Sequence, residues 1–220
     1  MWGLITGAVL LGIEALVYGG SIRIADALGI EHIVLSGTRL DSMIPVCPIF
    51  VFVYAAAYVF WVIAPVWIVR EGRKRTIEFI ASYLLTLIIS GVIMTLFPTE
   101  MDRAAEGLLA GGTEGFAWSA LHFIYSIDGG STGTCLVPSL HCLVSFFYYS
   151  ELKNIDSIKK ENKTAVLVLV ILIVISTMLT KQHFVYDCIA GILLGAICCR
   201  LIRPRIGKAH IFKEISDDNQ

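Results

Sequence analysis

Six apolar stretches, each close to the ~20 residues needed to cross the hydrocarbon core of a bilayer, constrain this chain more than any other feature. They cover roughly 2–20, 48–69, 76–97, 136–150, 164–180 and 184–202. The fourth is short and the sixth is interrupted by glycines. Composition agrees: charged residues make up 16% of the chain, against about 25% in soluble domains, and mean hydropathy is +0.77. The first stretch has neither a positive leader nor a small-residue cleavage site after it, so it reads as a retained helix rather than a removed signal. The expectation is an all-α integral membrane protein: a six-transmembrane-helix bundle forming a single domain over 1–205, with a cytoplasmic tail at 206–220. A net charge of −1 and the lack of a long basic tract exclude nucleic acid as a partner.

Lys and Arg set the orientation. Arg70, Arg73, Lys74 and Arg75 follow the second stretch, and Lys153, Lys159, Lys160 and Lys163 follow the fourth. Arg200, Arg203, Arg205, Lys208 and Lys213 follow the sixth. Thirteen of the seventeen basic residues therefore share one side. That side reads as cytoplasmic, with both termini on it. The opposite face receives the loops 21–47 and 98–135 and the turn at 181–183, with only Arg23, Arg39, Arg103 and Lys181.

Within the 98–135 loop, Gly111-Gly112 and Gly129-Gly130 bracket a segment containing Phe116, Trp118, Leu121, Phe123, Ile124 and Tyr125. This pattern predicts an amphipathic interfacial helix in the third-to-fourth connection. Glu14 is the ionisable exception inside a span, either a functional group or half of a buried polar pair. Gly191 and Gly195 follow Asp187 at four-residue steps, a small-residue stripe that lets another helix approach and turns His183 and Asp187 inward. The six cysteines show no C-x-x-C pattern and read as buried thiols, with a bond from Cys135 to Cys47 or Cys188 left open.

Polar residues gather in two places. Ser176 to Asp187 separates the last two stretches, and within it His183 and Asp187 are spaced by four. A carboxylate one helical turn from an imidazole can fix its tautomer and stabilise its cation, as a nucleophile or base requires. Val137-Pro138-Ser139-Leu140-His141 opens the fourth stretch. Pro138 suits a first helical turn, whose free N–H groups and the Ser139 hydroxyl make an anion seat, with His141 placed to donate a proton. Arg103 and Lys181 stand beside these clusters on the same face.

Pro138-Ser139-Leu140-His141, followed by Ser176 through His183-x3-Asp187, resembles the second and third signatures of the type 2 phosphatidic acid phosphatase superfamily. Leu140, Thr180-Lys181-Gln182-His183, Asp41-x-x-Ile44-Pro45 and Tyr125-x-x-Asp128 are similar to its inositolphosphorylceramide-synthase-like branch. The resemblance spans about residues 41 to 195. It implies that His183 attacks phosphorus, oriented by Asp187, and forms a phosphohistidine. It implies that His141 protonates the leaving oxygen, that Arg103, Ser139 and Lys181 hold phosphate oxygens, and that neither metal nor cofactor is required. The first signature's Lys and Pro are replaced by Leu96 and Ala104, and the third signature's Arg by Thr177.

The leading expectation is a plasma-membrane phosphatase that hydrolyses the phosphomonoester or pyrophosphate of a lipid phosphate, phosphatidic-acid-like, at the extracytoplasmic face. The same nucleophile would serve a lipid headgroup phosphotransferase if an alcohol, not water, completed the reaction. A small membrane transporter using Glu14 and the histidines as a proton path is the reading from another class. It would spread polar residues through the midplane, whereas here they gather at one face.

Overall fold

The structure, a computed structural model, describes residues 1–108 and 114–206. Gly111-Gly112 and the tail beyond Ile206, with Lys208 and Lys213, lie outside the described residues. Ten helices are present among the described residues. The first five are α1 (Trp2–Ala27), α2 (Arg39–Met43), α3 (Val51–Ile63), α4 (Pro65–Arg70) and α5 (Arg73–Leu96). The others are α6 (Phe116–Ile127), α7 (Leu140–Leu152), α8 (Lys160–Leu179), α9 (Val185–Ile197) and α10 (Arg203–Ile206), with a π turn at Cys198–Ile202 joining the last two.

Five helical runs are long and apolar enough to cross a membrane: Trp2–Ala27, Pro48–Arg70, Arg73–Leu96, Lys160–Leu179 and Val185–Ile206. The expected fourth span is the exception. α7 has 13 residues, about 20 Å of helix, well short of the ~30 Å hydrocarbon core. Its burial explains the difference. Eleven of its residues are buried as it packs between α3, α8 and α9, so its length is matched to protein rather than to lipid. It still joins the two ends of the bundle, from Ser139 at one to Glu151 at the other. There Glu151 meets Arg75 (3.0 Å) and Arg203 (2.5 Å).

Pro65 separates α3 from α4 because it has no N–H to continue the ladder and its ring crowds the preceding turn. On α5, Ser82, Thr86 and Ser90 donate back to the carbonyls of Glu78, Ser82 and Thr86, which keeps three buried hydroxyls satisfied within one helix. The anticipated glycine stripe is the seam between α9 and α7. A Cβ at Gly191 would lie 2.4 Å from the Ser139 carbonyl oxygen, and one at Gly195 would lie 3.2 Å from the Phe146 ring.

One end of the bundle carries a cap that departs from an all-α fold. Strands β1 (Ile33–Leu35), β2 (Thr99–Asp102) and β3 (Thr132–Thr134) form a small sheet, β1 parallel and β3 antiparallel to β2. The register pairs Ile33 with Thr99 and Met101 with Gly133. The loops expected on the outer face therefore fold together. Cys47 N–H donates to the Leu179 carbonyl, and the Tyr125 hydroxyl to that of Thr180. α6 is a short apolar helix in the connection where one was expected. It buries Leu121 and Tyr125 against Met101, Leu136 and Phe184 and exposes Phe116, Phe123 and Ile127. All six cysteines are free thiols, so Cys135 is bonded to neither Cys47 nor Cys188.

Candidate active site

The two polar clusters meet where α7 and α9 begin. Ser139 caps α7, its hydroxyl accepting from the Cys142 N–H at 3.4 Å, and Pro138 lies just outside the cap rather than in the first turn. Phe184 precedes α9, and Asp187 in its first turn accepts the Phe184 N–H at 2.9 Å. The Ser139 N–H donates to the Asp187 carbonyl at 3.2 Å, tying one helix start to the other. His183 lies in the turn before α9, and its Nδ1 faces Asp187 Oδ2 at 3.6 Å. That is an ion-pair separation rather than a hydrogen bond. Burial works against a charged His183, yet the Asp187 carboxylate outweighs it and holds the imidazole above its ordinary range.

His141 and His183 line one cavity of about 190 Å³, with Tyr18, Tyr54, Tyr58, Glu14, Asp128 and Gln182 among its walls. Its lining among the described residues includes neither Lys nor Arg. The His141 ring stacks on Tyr54 at 3.9 Å and is flanked by Tyr58 and Trp61. Glu14 accepts from the Tyr83 hydroxyl at 2.9 Å. It is thus both part of a buried polar pair and part of the cavity wall.

The remaining sequence candidates are placed differently. Arg103, at the end of β2, is fully buried. Its Nη1 donates to the carbonyls of Asp128 (2.8 Å) and Gly130 (2.9 Å), and its Nη2 to Asp128 Oδ2 (2.5 Å) and Gln182 Oε1 (3.0 Å). Its guanidinium also covers the Tyr125 ring, 4.6 Å from the centroid. The missing side chain of Gly133 makes room for it, since a Cβ there would lie 3.0 Å from Nη2. Arg103 therefore stands behind Asp128 and Gln182 rather than at the cavity surface.

Lys181 turns the other way. Its φ of +51° puts it in the left-handed region, and its Nζ donates to the Asp41 carbonyl at 2.7 Å. It lines a second cavity of about 350 Å³ with Asp41, Glu106 and Thr38, and His183 lines this cavity as well as the first. Asp41 anchors that region, accepting from Thr38 and, at 2.8 Å, from the first N–H of α9. The two signatures thus converge on His183, His141, Asp187 and Ser139, while the two expected cations lie outside the first cavity.

Sequence reasoning did not single out Gln182 or Tyr18, whose hydroxyl donates to Asp128. Only the Tyr125-x-x-Asp128 spacing pointed towards this group.

A family model described as the PAP2 superfamily matches residues 22–201. No curated protein and no solved structure matches the chain.

Proposed function

The chain belongs to the PAP2 superfamily, and from that membership and the site geometry we propose that it hydrolyses a lipid phosphate through a phosphohistidine on His183. The superfamily assignment makes it a multi-pass membrane enzyme of the phosphatase type. One observation carries the finer reading: two histidines from separate signatures face one cavity, one of them backed by a buried carboxylate.

With Nδ1 turned to Asp187, Nε2 of His183 is left to attack. Its lone pair forms the P–N bond as the P–O bond to the lipid alcohol breaks, and His141 gives its proton to the departing oxygen. Water then attacks phosphorus, passes a proton to His141, and the P–N bond breaks to release phosphate and restore both imidazoles. Asp187 stabilises the cationic His183 throughout, and the Ser139 hydroxyl is near enough to the start of α7 to donate to a phosphoryl oxygen. Positioning and electrostatics supply most of the catalysis in such a transfer. In this reading the reaction needs no metal or other cofactor. The substrate enters from the lipid, α6 lies in the outer interface, and α7 completes a sixth crossing. The site faces the extracytoplasmic side of a plasma membrane, with both termini in the cytoplasm.

The cation-poor lining favours a second reading, in which the phosphate is a singly charged diester and an alcohol replaces water as acceptor. Both are tested with purified protein in detergent, on phosphatidic acid, an isoprenyl pyrophosphate and a phosphodiester lipid, with and without an added lipid alcohol. Phosphate release that resists EDTA and vanishes in His183→Ala supports hydrolysis. Transfer product exceeding free phosphate would replace that reading with the second. Turnover unchanged in His183→Ala would overturn both.

A further inference from the structure

We propose that the side-chain amide of Gln182 is the donor that holds a phosphoryl oxygen beside His183, and that Arg103 is the residue that positions it. The inference rests on the phosphoryl-transfer reading of the cavity and gives a ligand role to a position to which the resemblance assigned none. Gln182 lines the same cavity as both histidines and is 2% exposed. Its orientation is set by chemistry. Arg103 Nη2 lies 3.0 Å from one branch of the amide, and a guanidinium only donates, so that branch is Oε1. The other branch, Nε2, is buried without an acceptor.

A second buried nitrogen in this cavity lacks a partner, His141 Nε2, whereas His183 Nδ1 faces Asp187. Buried polar groups without partners are uncommon in native proteins and call for an explanation. A phosphoryl group brings several acceptor oxygens, and Gln182 Nε2, two hydrogens in a dry pocket, is matched to one of them. The turn is built to present it. Thr177 O accepts from the N–H groups of both Gln182 (2.9 Å) and His183 (3.2 Å). The left-handed Lys181 directs its own side chain to Asp41, which leaves Gln182 on the cavity side. The same Thr177 stands where the family signature has an arginine. A neutral donor held by a buried cation thus stands in a cavity whose lining among the described residues includes neither Lys nor Arg.

The test uses the full chain in detergent and a lipid phosphate that the wild type turns over and His183→Ala does not. Gln182→Ala removes the donor. Gln182→Glu keeps an oxygen for Arg103 but replaces the NH2 with an acceptor, so it separates a donor from a residue that merely satisfies Arg103. Both variants are expected to lower kcat by about 10²–10³, the loss typical of one transition-state donor, with KM moving by less than about threefold. Binding of vanadate, read by inhibition and by intrinsic fluorescence, should weaken in parallel, while thermal unfolding of Gln182→Glu stays near wild type. Either variant retaining wild-type kcat and vanadate affinity, with His183→Ala inactive, would overturn the role of Gln182 and leave the nucleophile standing. If every lipid phosphate turned over by the wild type were turned over equally by His183→Ala, the nucleophile and this proposal would fall together.

Discussion

Gly191→Ala tests whether the close approach of α9 to α7 is what assembles the site. The added Cβ would sit 2.4 Å from the Ser139 carbonyl oxygen and 3.3 Å from the Leu143 nitrogen. Both are backbone atoms that cannot rotate away. Restoring an ordinary contact of at least 3.4 Å requires the helices to part by about 1 Å. Overpacking of this kind costs about 1–3 kcal/mol, and a backbone obstacle puts it at the upper end. Alanine's better helix propensity returns about 1 kcal/mol, leaving a net loss of about 2 kcal/mol. Gly12→Ala on α1 is the control, because nothing lies within 4 Å of its Cβ, so propensity alone should favour it by up to about 1 kcal/mol. The two alanine variants should therefore separate by about 3 kcal/mol in detergent unfolding. Activity should separate them further. Ser139 and His141 ride on α7 and Asp187 on α9, and a 1 Å misplacement of reacting groups costs about 10²-fold in turnover. Gly191→Ala as stable and as active as Gly12→Ala would refute the claim that this seam sets the geometry.

Because Asp187 holds His183 above its ordinary range against the pull of burial, the ascending limb of activity against pH should lie above pH ~6.5, where the nucleophile loses its proton. Asp187→Asn should move that limb to lower pH and reduce kcat by on the order of 10²- to 10⁴-fold; an unmoved limb would separate Asp187 from the titration. His32 bridges Asp26 (2.8 Å) and Glu100 (3.1 Å), and its bond to Glu100 leads in raising it above the ordinary imidazole range. A raised folded value contributes stability that is complete below pH ~6.5 and lost as pH rises through the higher value. Thermal stability in the wild type should therefore fall as pH rises above ~6.5, and this step should disappear in His32→Gln. Burial opposes the Asp41 charge, but hydrogen bonds from Thr38 and Val185 outweigh it and hold the carboxyl below its usual range. Its contribution is present at neutral pH and lost in acid. Asp41→Asn should lower stability at pH 7 by about 1 kcal/mol, as loss of a helix cap does, with the gap from wild type closing as pH falls.

Much of this architecture is legible because its causes are one-dimensional. Apolar runs report burial in lipid or protein, and they locate four of the five long helical runs to within four residues at each end, while α1 continues seven residues past its apolar stretch to Ala27. The glycines at 191 and 195 report close approach, and the His183-x3-Asp187 spacing reports a shared helix start. α7 shows the limit of that signal. An apolar run reads the same whether lipid or five neighbouring segments cover it, so length alone distinguishes them. The sheet is hidden for a related reason. Its strands, Ile33–Leu35, Thr99–Asp102 and Thr132–Thr134, are too short to show alternation, and two of them pair across more than sixty residues of sequence. The directions of Arg103 and Lys181 are tertiary facts. Both are cations beside a motif, which is all that sequence can say. What turns Arg103 inward is Asp128, 25 residues on. What turns Lys181 outward is a left-handed backbone and a carbonyl 140 residues earlier.

Those two directions change how the missing cations at 96 and 177 are understood. Counted from sequence, the chain has lost two basic positions and keeps two, Arg103 and Lys181, to take their work. Counted from the structure, Arg103 already faces a carboxylate, and Lys181 sits among Asp41 and Glu106 in the second cavity, which His183 also lines. A phosphate in the first cavity would meet neutral or switchable donors: the Gln182 amide and the imidazoles of His141 and His183. Such a lining binds an anion less tightly in the ground state than fixed cations would. In the proposed mechanism it would place its strongest stabilisation where charge develops, on a cationic phosphohistidine held by Asp187, and differential stabilisation of that kind raises kcat rather than lowering KM. Arg103 still acts in this scheme at one remove. Its charge polarises the Gln182 amide it holds, which strengthens the N–H groups on the opposite branch. The buried pair of Arg103 and Asp128 is then the support on which a neutral phosphate site is built, and its position behind Gln182, not at the cavity wall, is what that role requires.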